Sequence, residues 1–161
     1  MPDLYVVRHA RPAVIGVLLG QTDPPLSEDG GRQAGELLRD VRLVRVYSSP
    51  LRRARETADL LARGACVEIM EDLREITYGE WDGLSWAEIE GRNEELARRK
   101  LADWGGVTPP GGEGWDAFRG RVLRAFERIC MGPRPAAIVG HAAVNQILTG
   151  VEQAYGGVFE L

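Results

Sequence analysis

Short apolar runs of strand character alternate along this sequence with segments whose apolar residues recur every three or four positions. The pattern predicts strands at 4–7, 44–47, 66–70, 136–140 and 158–161, and helices at 28–41, 51–63, 86–101, 115–129 and 142–148. Strands that alternate with helices predict an α/β protein, a three-layer α/β/α sandwich with one mostly parallel central sheet. A chain of 161 residues suits one full core, so we expect a single domain spanning 1–161.

Two helix starts carry residues that are typical of caps. Ser27 is the expected N-cap of a helix whose apolar face holds Ala34, Leu37, Leu38 and Val41. Ser48 and Ser49 precede Pro50, which predicts a cap with proline at the first helical position.

Composition excludes several classes of function. The net charge is −4, which argues against a nucleic-acid partner because phosphate backbones require a basic surface. No apolar run approaches the ~18 residues of a membrane span, and no basic region followed by an apolar signal segment opens the chain. We therefore expect a cytoplasmic protein without a membrane partner. Cys66 and Cys130 have no partner at metal spacing, and we expect two buried free thiols.

Each of the two histidines follows a predicted strand. His9 comes after the run 4–7 and Arg8, and His141 comes after 136–140. Open α/β sheets bind ligands at the carboxyl ends of their strands, so we expect both imidazoles to converge on one anion. The alternative for an arginine-histidine pair is a solvated charge beside a histidine that is satisfied within the fold.

Arginines crowd the start of the helix at 51–63, where cations oppose the helix dipole. A strand-to-helix turn directs backbone N–H groups at an anion, and arginines beside it complete a phosphate site. We expect Arg53 to lie at the same sheet edge as Arg8 and to bind phosphate. Arg55 is expected to be solvated.

Two loops carry further candidate residues. Glu75 lies in the glycine-punctuated loop 73–83 with Tyr78 and Trp81. A carboxyl group among aromatic rings can have a raised pKa and donate a proton near neutral pH, whereas most loop acids are solvated. The polar segment 10–29 is long for a connection, and its place next to His9 favours a functional loop.

The remaining charged segments support no functional prediction. Glu113 stands near the start of the helix at 115–129 and can cap it. Arg98, Arg99 and Lys100 in the helix at 86–101 are expected to be surface charge, and the tryptophans to contribute packing.

The candidate residues fit phosphoryl transfer through a phosphohistidine. Imidazole attacks phosphorus, arginines neutralise the equatorial oxygens, and a carboxylic acid protonates the departing alkoxide. The sequence contains no GxxxxGK, HExxH, CxxC or GxSxG motif. Each charge-assisted contact contributes on the order of 1.5 to 3 kcal/mol, so two or three arginines can hold a dianion without a metal, and no cofactor is expected.

Five motifs in this order resemble the histidine phosphatase superfamily, in its phosphoglycerate mutase-like branch. Arg8 and His9 match the first two positions of the family's Arg-His-Gly, and SSPLRRARETA at 48–58 resembles its second motif. LREITYGEWDG at 73–83 is similar to the acid motif, PGGE at 110–113 is a further marker, and GHA at 140–142 matches the second histidine motif. The family's glycine is replaced by Ala10 after the first histidine and by Ala142 after the second. Neither change removes a donor side chain, so activity is expected to survive.

The resemblance implies a phosphoglycerate mutase-like fold and a phosphoric monoester hydrolase without a cofactor. Residue by residue it makes His9 the nucleophile and Glu75 the acid and later the base that activates water, with His141 completing the catalytic set. The implied phosphate-binding residues are Arg8, Arg53, His141, Gln21 and Thr22.

Three functions are compatible with the resemblance. The compact length and the segments 8–12 and 20–30 look most like α-ribazole phosphatases, so the expected substrate is a small phosphorylated metabolite such as α-ribazole 5′-phosphate. A phosphoglycerate mutase is an alternative, although family mutases are longer and have added pocket segments. The third function is that of a phosphate-binding module that has lost turnover. The intact site residues argue against this alternative. An edge strand at 158–161 would allow a homodimer, but the sequence leaves the oligomeric state open.

Overall fold

The computed structural model describes residues 3–161. Its strands are β1 (Leu4–Arg8), β2 (Arg45–Ser48), β3 (Cys66–Ile69), β4 (Ala136–Gly140) and β5 (Val158–Glu160). They form a five-stranded sheet in the order β3-β2-β4-β1-β5. The first four strands run parallel and β5 lies antiparallel beside β1, which confirms the mostly parallel sheet.

Helices cover both faces of this sheet. They are α1 (Glu28–Glu36), α2 (Arg52–Ala62), α3 (Trp86–Arg92), α4 (Glu94–Ala102), α5 (Trp115–Cys130) and α6 (Ala142–Thr149), with 3₁₀ turns at Glu71–Leu73 and Gly79–Trp81. None of the helices in the described part of the chain is long and apolar enough to cross a membrane.

Alternate residues of the buried strands pack on opposite faces. Along β1, Leu4 and Val6 join the core beneath α5 and α6, whereas Tyr5 and Val7 join the core beneath α2. This period of two follows from the pleat, and burial of both faces is typical of parallel sheets. The two cores confirm the predicted three-layer α/β/α sandwich.

The parallel register brings three strand ends to one edge. Arg8 pairs with Gly140, so the next residues, His9 and His141, are neighbours. On the other side of β4, Ser48 pairs with Val139 and places the residue after it at the same edge. The carboxyl ends of β1, β2 and β4 therefore form one platform.

Two helices differ from their predicted extents. α1 ends at Glu36 because it contains three glycines, which weaken a helix, and because Leu38 adopts a left-handed φ of 50°. The predicted helix 86–101 is two helices, since the Asn93 side chain accepts the backbone N–H of Leu96 (2.9 Å) and starts α4.

The start of α2 also differs. It begins at Arg52, so Pro50 is not at the first helical position. The Ser49 hydroxyl accepts the backbone N–H of Leu51 (3.2 Å) and also bonds a ring nitrogen of His141 (2.8 Å). Ser49 therefore links the turn to the second histidine.

Three burial predictions are wrong. Cys66 and Cys130 are exposed, because the first opens the edge strand β3 and the second ends α5. Lys100 is only 3% exposed, and its ammonium donates to the carbonyls of Trp104 and Val107 (2.7 Å to Val107). An ammonium in that position organises the loop after α4 instead of serving as surface charge.

The two-sided burial of β4 predicts where the fold is sensitive. Ile138 in this central strand is 0% exposed, whereas Ile69 in the edge strand β3 is 44% exposed. Ile138→Ala should lower the free energy of unfolding by about 2–5 kcal/mol because it leaves a cavity between packed layers. Ile69→Ala should cost under about 1 kcal/mol, and urea denaturation of both variants measures the difference. Equal losses would contradict this account of the core.

Candidate active site

His9 is held by backbone contacts that set its tautomer. The ring is buried, and its Nδ1 lies 2.8 Å from the carbonyl oxygen of Ala10. A carbonyl can only accept, so Nδ1 carries the hydrogen and the lone pair of the neutral ring is on Nε2. The backbone N–H of Ala10 donates to the Thr57 hydroxyl (3.0 Å), which fastens this turn to α2. This arrangement orients an imidazole with a free nucleophilic nitrogen.

The second imidazole lies beside the first. The ring centroids of His9 and His141 are 5.2 Å apart, as the register of β1 and β4 requires. His141 is the N-cap residue of α6 and is fully buried. The amino end of a helix dipole therefore adds to the positive potential at this edge.

Burial and positive charge keep both rings neutral. Burial, followed by the charge of Arg53, lowers the pKa of His9 to about 3. The same two causes lower the pKa of His141 well below its ordinary value. At neutral pH both imidazoles are uncharged, which leaves His9 available as a nucleophile.

Two arginines supply the charge. Arg53 is 1% exposed and donates to the carbonyls of Thr22 (2.6 Å) and Gly20 (2.9 Å). Arg8 donates to the carbonyl of Gln153 (2.6 Å), and its guanidinium carbon lies 4.3 Å from the centroid of the Tyr155 ring. Within residues 3–161 both guanidinium groups donate to carbonyls and neither pairs with a carboxylate, so neither charge is neutralised.

Three buried nitrogens at this edge have no hydrogen-bond partner within residues 3–161: Nε of Arg8, Nε of Arg53 and Nδ1 of His141. Buried donors are normally satisfied, so the two unpartnered arginine N–H groups indicate a binding site for an acceptor-rich group. A phosphoryl group carries three such oxygens.

A cavity of about 140 Å³ lies at this edge of the sheet. Its lining includes Arg8, His9, Arg53, Glu75, Tyr78, Ala142 and Tyr155, together with residues 17–20 of the polar loop. Tyr155 was not singled out in the sequence. It belongs to the irregular segment before β5, and its ring centroid is 5.6 Å from that of His9.

Glu75 contributes a buried carboxyl group to the cavity. Its Oε1 accepts the backbone N–H of Ile76 and its Oε2 that of Ala143, both at 3.1 Å. Burial raises the pKa of this carboxyl, and the two N–H donors oppose the shift. Glu75 and His9 therefore line the same cavity. The raised pKa of Glu75 favours its protonated form, which can act as a proton donor.

The polar loop reaches the cavity through its backbone. Gln21 donates from its side chain to the carbonyl of Glu75 (3.2 Å), and the Thr22 hydroxyl donates to that of Leu19 (2.6 Å). Neither residue lines the cavity, so their phosphate contacts stay a prediction. Gly20 has a φ of 51°, and a Cβ there would overlap the carboxylate of Asp82. That close approach requires glycine.

The two alanines that replace family glycines fit this site. Ala10 is fully buried and is not among the residues with positive φ, so its backbone does not require glycine. Ala142 lines the cavity at the start of α6. No group of three or more His, Cys, Asp or Glu able to hold a metal occurs between residues 3 and 161.

An arginine on α5 holds the loop that carries Glu75, and sequence reasoning missed it. Arg121 donates through Nε and one terminal nitrogen to both carboxylate oxygens of Glu113 (2.8 Å each). Its other donors reach the carbonyls of Asp72 (2.9 Å), Arg74 (2.7 Å) and Glu75 (3.2 Å). The capping role suggested for Glu113 is wrong, because its carboxylate pairs with Arg121 and α5 has no side-chain cap. The signal for this contact that the sequence offered was an arginine eight residues after the PGGE motif.

Comparison with known proteins identifies the family. Residues 4–153 match the family described as histidine phosphatase superfamily, branch 1. The chain belongs to the histidine phosphatase superfamily. The resemblance read from the five motifs is thereby confirmed, and all five lie within the matched residues.

Curated relatives of this histidine phosphatase chain include several phosphatases. A bifunctional protein of Mycobacterium tuberculosis is 41% identical over 134 residues, which are 80% of this chain and 36% of that protein. An adenosylcobalamin/alpha-ribazole phosphatase of Salmonella typhimurium is 35% identical over 133 residues, covering 78% of this chain and 66% of the relative. The chain thus spans about a third to two thirds of the length of these relatives.

Solved structures confirm the phosphoglycerate mutase-like fold. The alpha-ribazole phosphatase of Shigella flexneri superposes with a TM-score of 0.81 at 30% identity, covering 91% of this chain and 77% of the other. A mycobacterial glucosyl-3-phosphoglycerate phosphatase superposes with a TM-score of 0.84 at 26% identity, covering 97% and 87%.

The contacts of Arg121 predict a selective effect on the acid loop. Arg121→Lys keeps the positive charge but loses the planar guanidinium donors that bind three carbonyls and the Glu113 carboxylate. We expect kcat/KM for an alkyl phosphate, which needs the acid, to fall about tenfold more than kcat/KM for p-nitrophenyl phosphate. Arg124→Lys, on the exposed face of the same helix, is the matched control. Equal losses on both substrates would show that Arg121 has only a general structural role.

Proposed function

We propose that the protein is a metal-independent phosphomonoesterase that acts on a small phosphorylated metabolite through a phosphohistidine. The proposal is carried by one observation: a neutral, oriented imidazole, His9, lines a cavity together with Arg8 and Arg53, whose buried Nε donors have no partner among residues 3–161. This combination of nucleophile and fixed positive charge suits attack on a phosphate dianion.

In the first step His9 Nε2 attacks phosphorus. The N–P bond forms as the P–O bond to the alcohol breaks, and Glu75 transfers its proton to the departing oxygen. Arg8 and Arg53 stabilise the charge on the equatorial oxygens. In the tautomer whose Nε2 accepts the hydrogen of the Ser49 hydroxyl, Nδ1 of His141 is a further donor after the end of β4.

In the second step water attacks the phosphohistidine. Glu75, now a carboxylate, takes a proton from the water as the O–P bond forms and the N–P bond breaks. Inorganic phosphate leaves, and both His9 and Glu75 return to their starting protonation states. One carboxyl group can serve both steps, because burial raises its pKa and so favours the protonated form that the first step needs.

The candidate substrate is α-ribazole 5′-phosphate. Relatives at 35% identity by sequence and at a TM-score of 0.81 by structure carry the name alpha-ribazole phosphatase. Its leaving group is an uncharged nucleoside, and the cavity beside Glu75 must accommodate it.

Turnover in the presence of EDTA tests the proposal. The wild-type protein should release p-nitrophenol from p-nitrophenyl phosphate, and His9→Ala should reduce kcat by more than about 10³-fold because the nucleophile is lost. Asn145→Ala, also buried at the end of the sheet but outside the cavity lining, controls for disturbed folding. No release above buffer would support a non-catalytic phosphate-binding module. Formation of 2-phosphoglycerate from primed 3-phosphoglycerate would support a mutase.

The position of Glu75 predicts a dependence on leaving group and pH. Glu75→Gln should lower kcat/KM for alkyl phosphates by about 10²-fold or more, and for p-nitrophenyl phosphate much less, because nitrophenolate leaves without a proton. In the wild type, kcat/KM for alkyl phosphates should fall as pH rises through the raised pKa of Glu75, since the acid must be protonated. That decline should vanish in Glu75→Gln, and equal losses on both substrates would rule Glu75 out as the acid.

A further inference from the structure

A second cavity, of about 340 Å³, adjoins the phosphate cavity. The two share Arg8, Tyr78 and Ala142 in their linings. Beyond them the second cavity is bounded by Trp104 after α4, by Gln146 on α6, and by residues 152–153 before β5. It therefore extends away from His9 over the start of α6.

The proposed acid stands at the junction of the two cavities. Glu75 lines the first, and its Oε2 accepts the N–H of Ala143, which lines the second. A leaving-group oxygen that takes its proton from Glu75 must lie at this junction. The organic part of the substrate then continues into the second cavity.

One wall of the second cavity is aromatic and held in place. The rings of Tyr78 and Trp104 meet edge to face, with centroids 6.1 Å apart. Lys100 donates to the Trp104 carbonyl, and its Nζ lies 4.7 Å from the centroid of the Trp104 ring. Such an anchored pair offers rigid apolar area to a ring-shaped group.

The lining of the second cavity also includes an exposed carboxylate, that of Glu152. Of the residues that line this cavity, the charged ones are Arg8 and Glu152. Arg8 already contacts the Gln153 carbonyl and the Tyr155 ring, and it serves the phosphate. A second anion on the leaving group would therefore meet the Glu152 carboxylate without a basic partner.

We propose that the second cavity selects an uncharged, ring-containing leaving group, and that Glu152 rejects phosphoesters whose leaving group carries a second anion. This inference rests on the proposed function. The favoured substrates are monophosphates of neutral aromatic or nucleoside alcohols. Bisphosphates and phosphorylated carboxylic acids such as phosphoglycerate are disfavoured.

A matched pair of aryl phosphates tests the charge rule. Phenyl phosphate and 4-carboxyphenyl phosphate share a ring and differ in one anion. The wild type should favour phenyl phosphate in kcat/KM, and Glu152→Gln should reduce this preference by about three- to tenfold. Glu127→Gln, which makes the same change in net charge on the exposed side of α5, should leave the preference unaltered. An unchanged preference in Glu152→Gln would overturn the inference.

The aromatic wall is tested separately. Trp104→Ala should raise KM for phenyl phosphate about tenfold relative to glycerol 3-phosphate, and Trp104→Phe should restore most of the difference. Equal changes for both substrates in both variants would overturn the aromatic part of the inference.

If wild-type protein shows no His9-dependent turnover of p-nitrophenyl phosphate, the proposed function itself fails. Turnover with no effect of Glu152 or Trp104 would refute only the account of the second cavity.

Discussion

The parallel register of β1 with β4 is the constraint on which the site depends. Because Arg8 pairs with Gly140, the residues that follow them must lie about one strand spacing apart, and the 5.2 Å between the rings of His9 and His141 reflects that spacing. A shift by one residue would move one imidazole to the other face of the sheet. The same backbone hydrogen bonds between the central strands therefore stabilise the core and position the proposed nucleophile.

Electrostatics at this edge follows from burial. Burial lowers the pKa of His9 and His141, and the charge of Arg53 lowers both further, whereas burial raises the pKa of Glu75. Burial thus favours the neutral forms of the two imidazoles and of the carboxyl group beside fixed positive charge. The Arg53 guanidinium is satisfied by loop carbonyls, so the polar loop and the arginine hold each other in position. In the proposed function these buried polar groups bind an anion, so this edge trades the stability of apolar packing for a binding site.

Support for the proposed acid comes from three separate parts of the chain. Arg121, paired with Glu113, binds the carbonyls of Asp72, Arg74 and Glu75, and α6 supplies an N–H to the Glu75 carboxyl. Asp82 accepts the N–H of Tyr78 (2.8 Å) and lies against the backbone of Gly20, which joins the acid loop to the polar loop. Since Tyr78 also lines both cavities, the same contacts shape the space for the leaving group.

Local pattern determined the elements and the candidate residues of this protein. Two-sided apolar runs indicated buried parallel strands, the ends of those strands indicated His9 and His141, and the arginine-rich start of a helix indicated Arg53, because these signals depend on neighbours in sequence. Tertiary contacts decided the rest. Lys100 is buried because two carbonyls of the following loop converge on it, Cys66 is exposed because β3 is an edge strand, and Glu113 pairs with Arg121 of the helix that follows it. Only the folded chain decides which groups a side chain meets, since partners outside its own helix or strand set its burial, its charge and its hydrogen bonds.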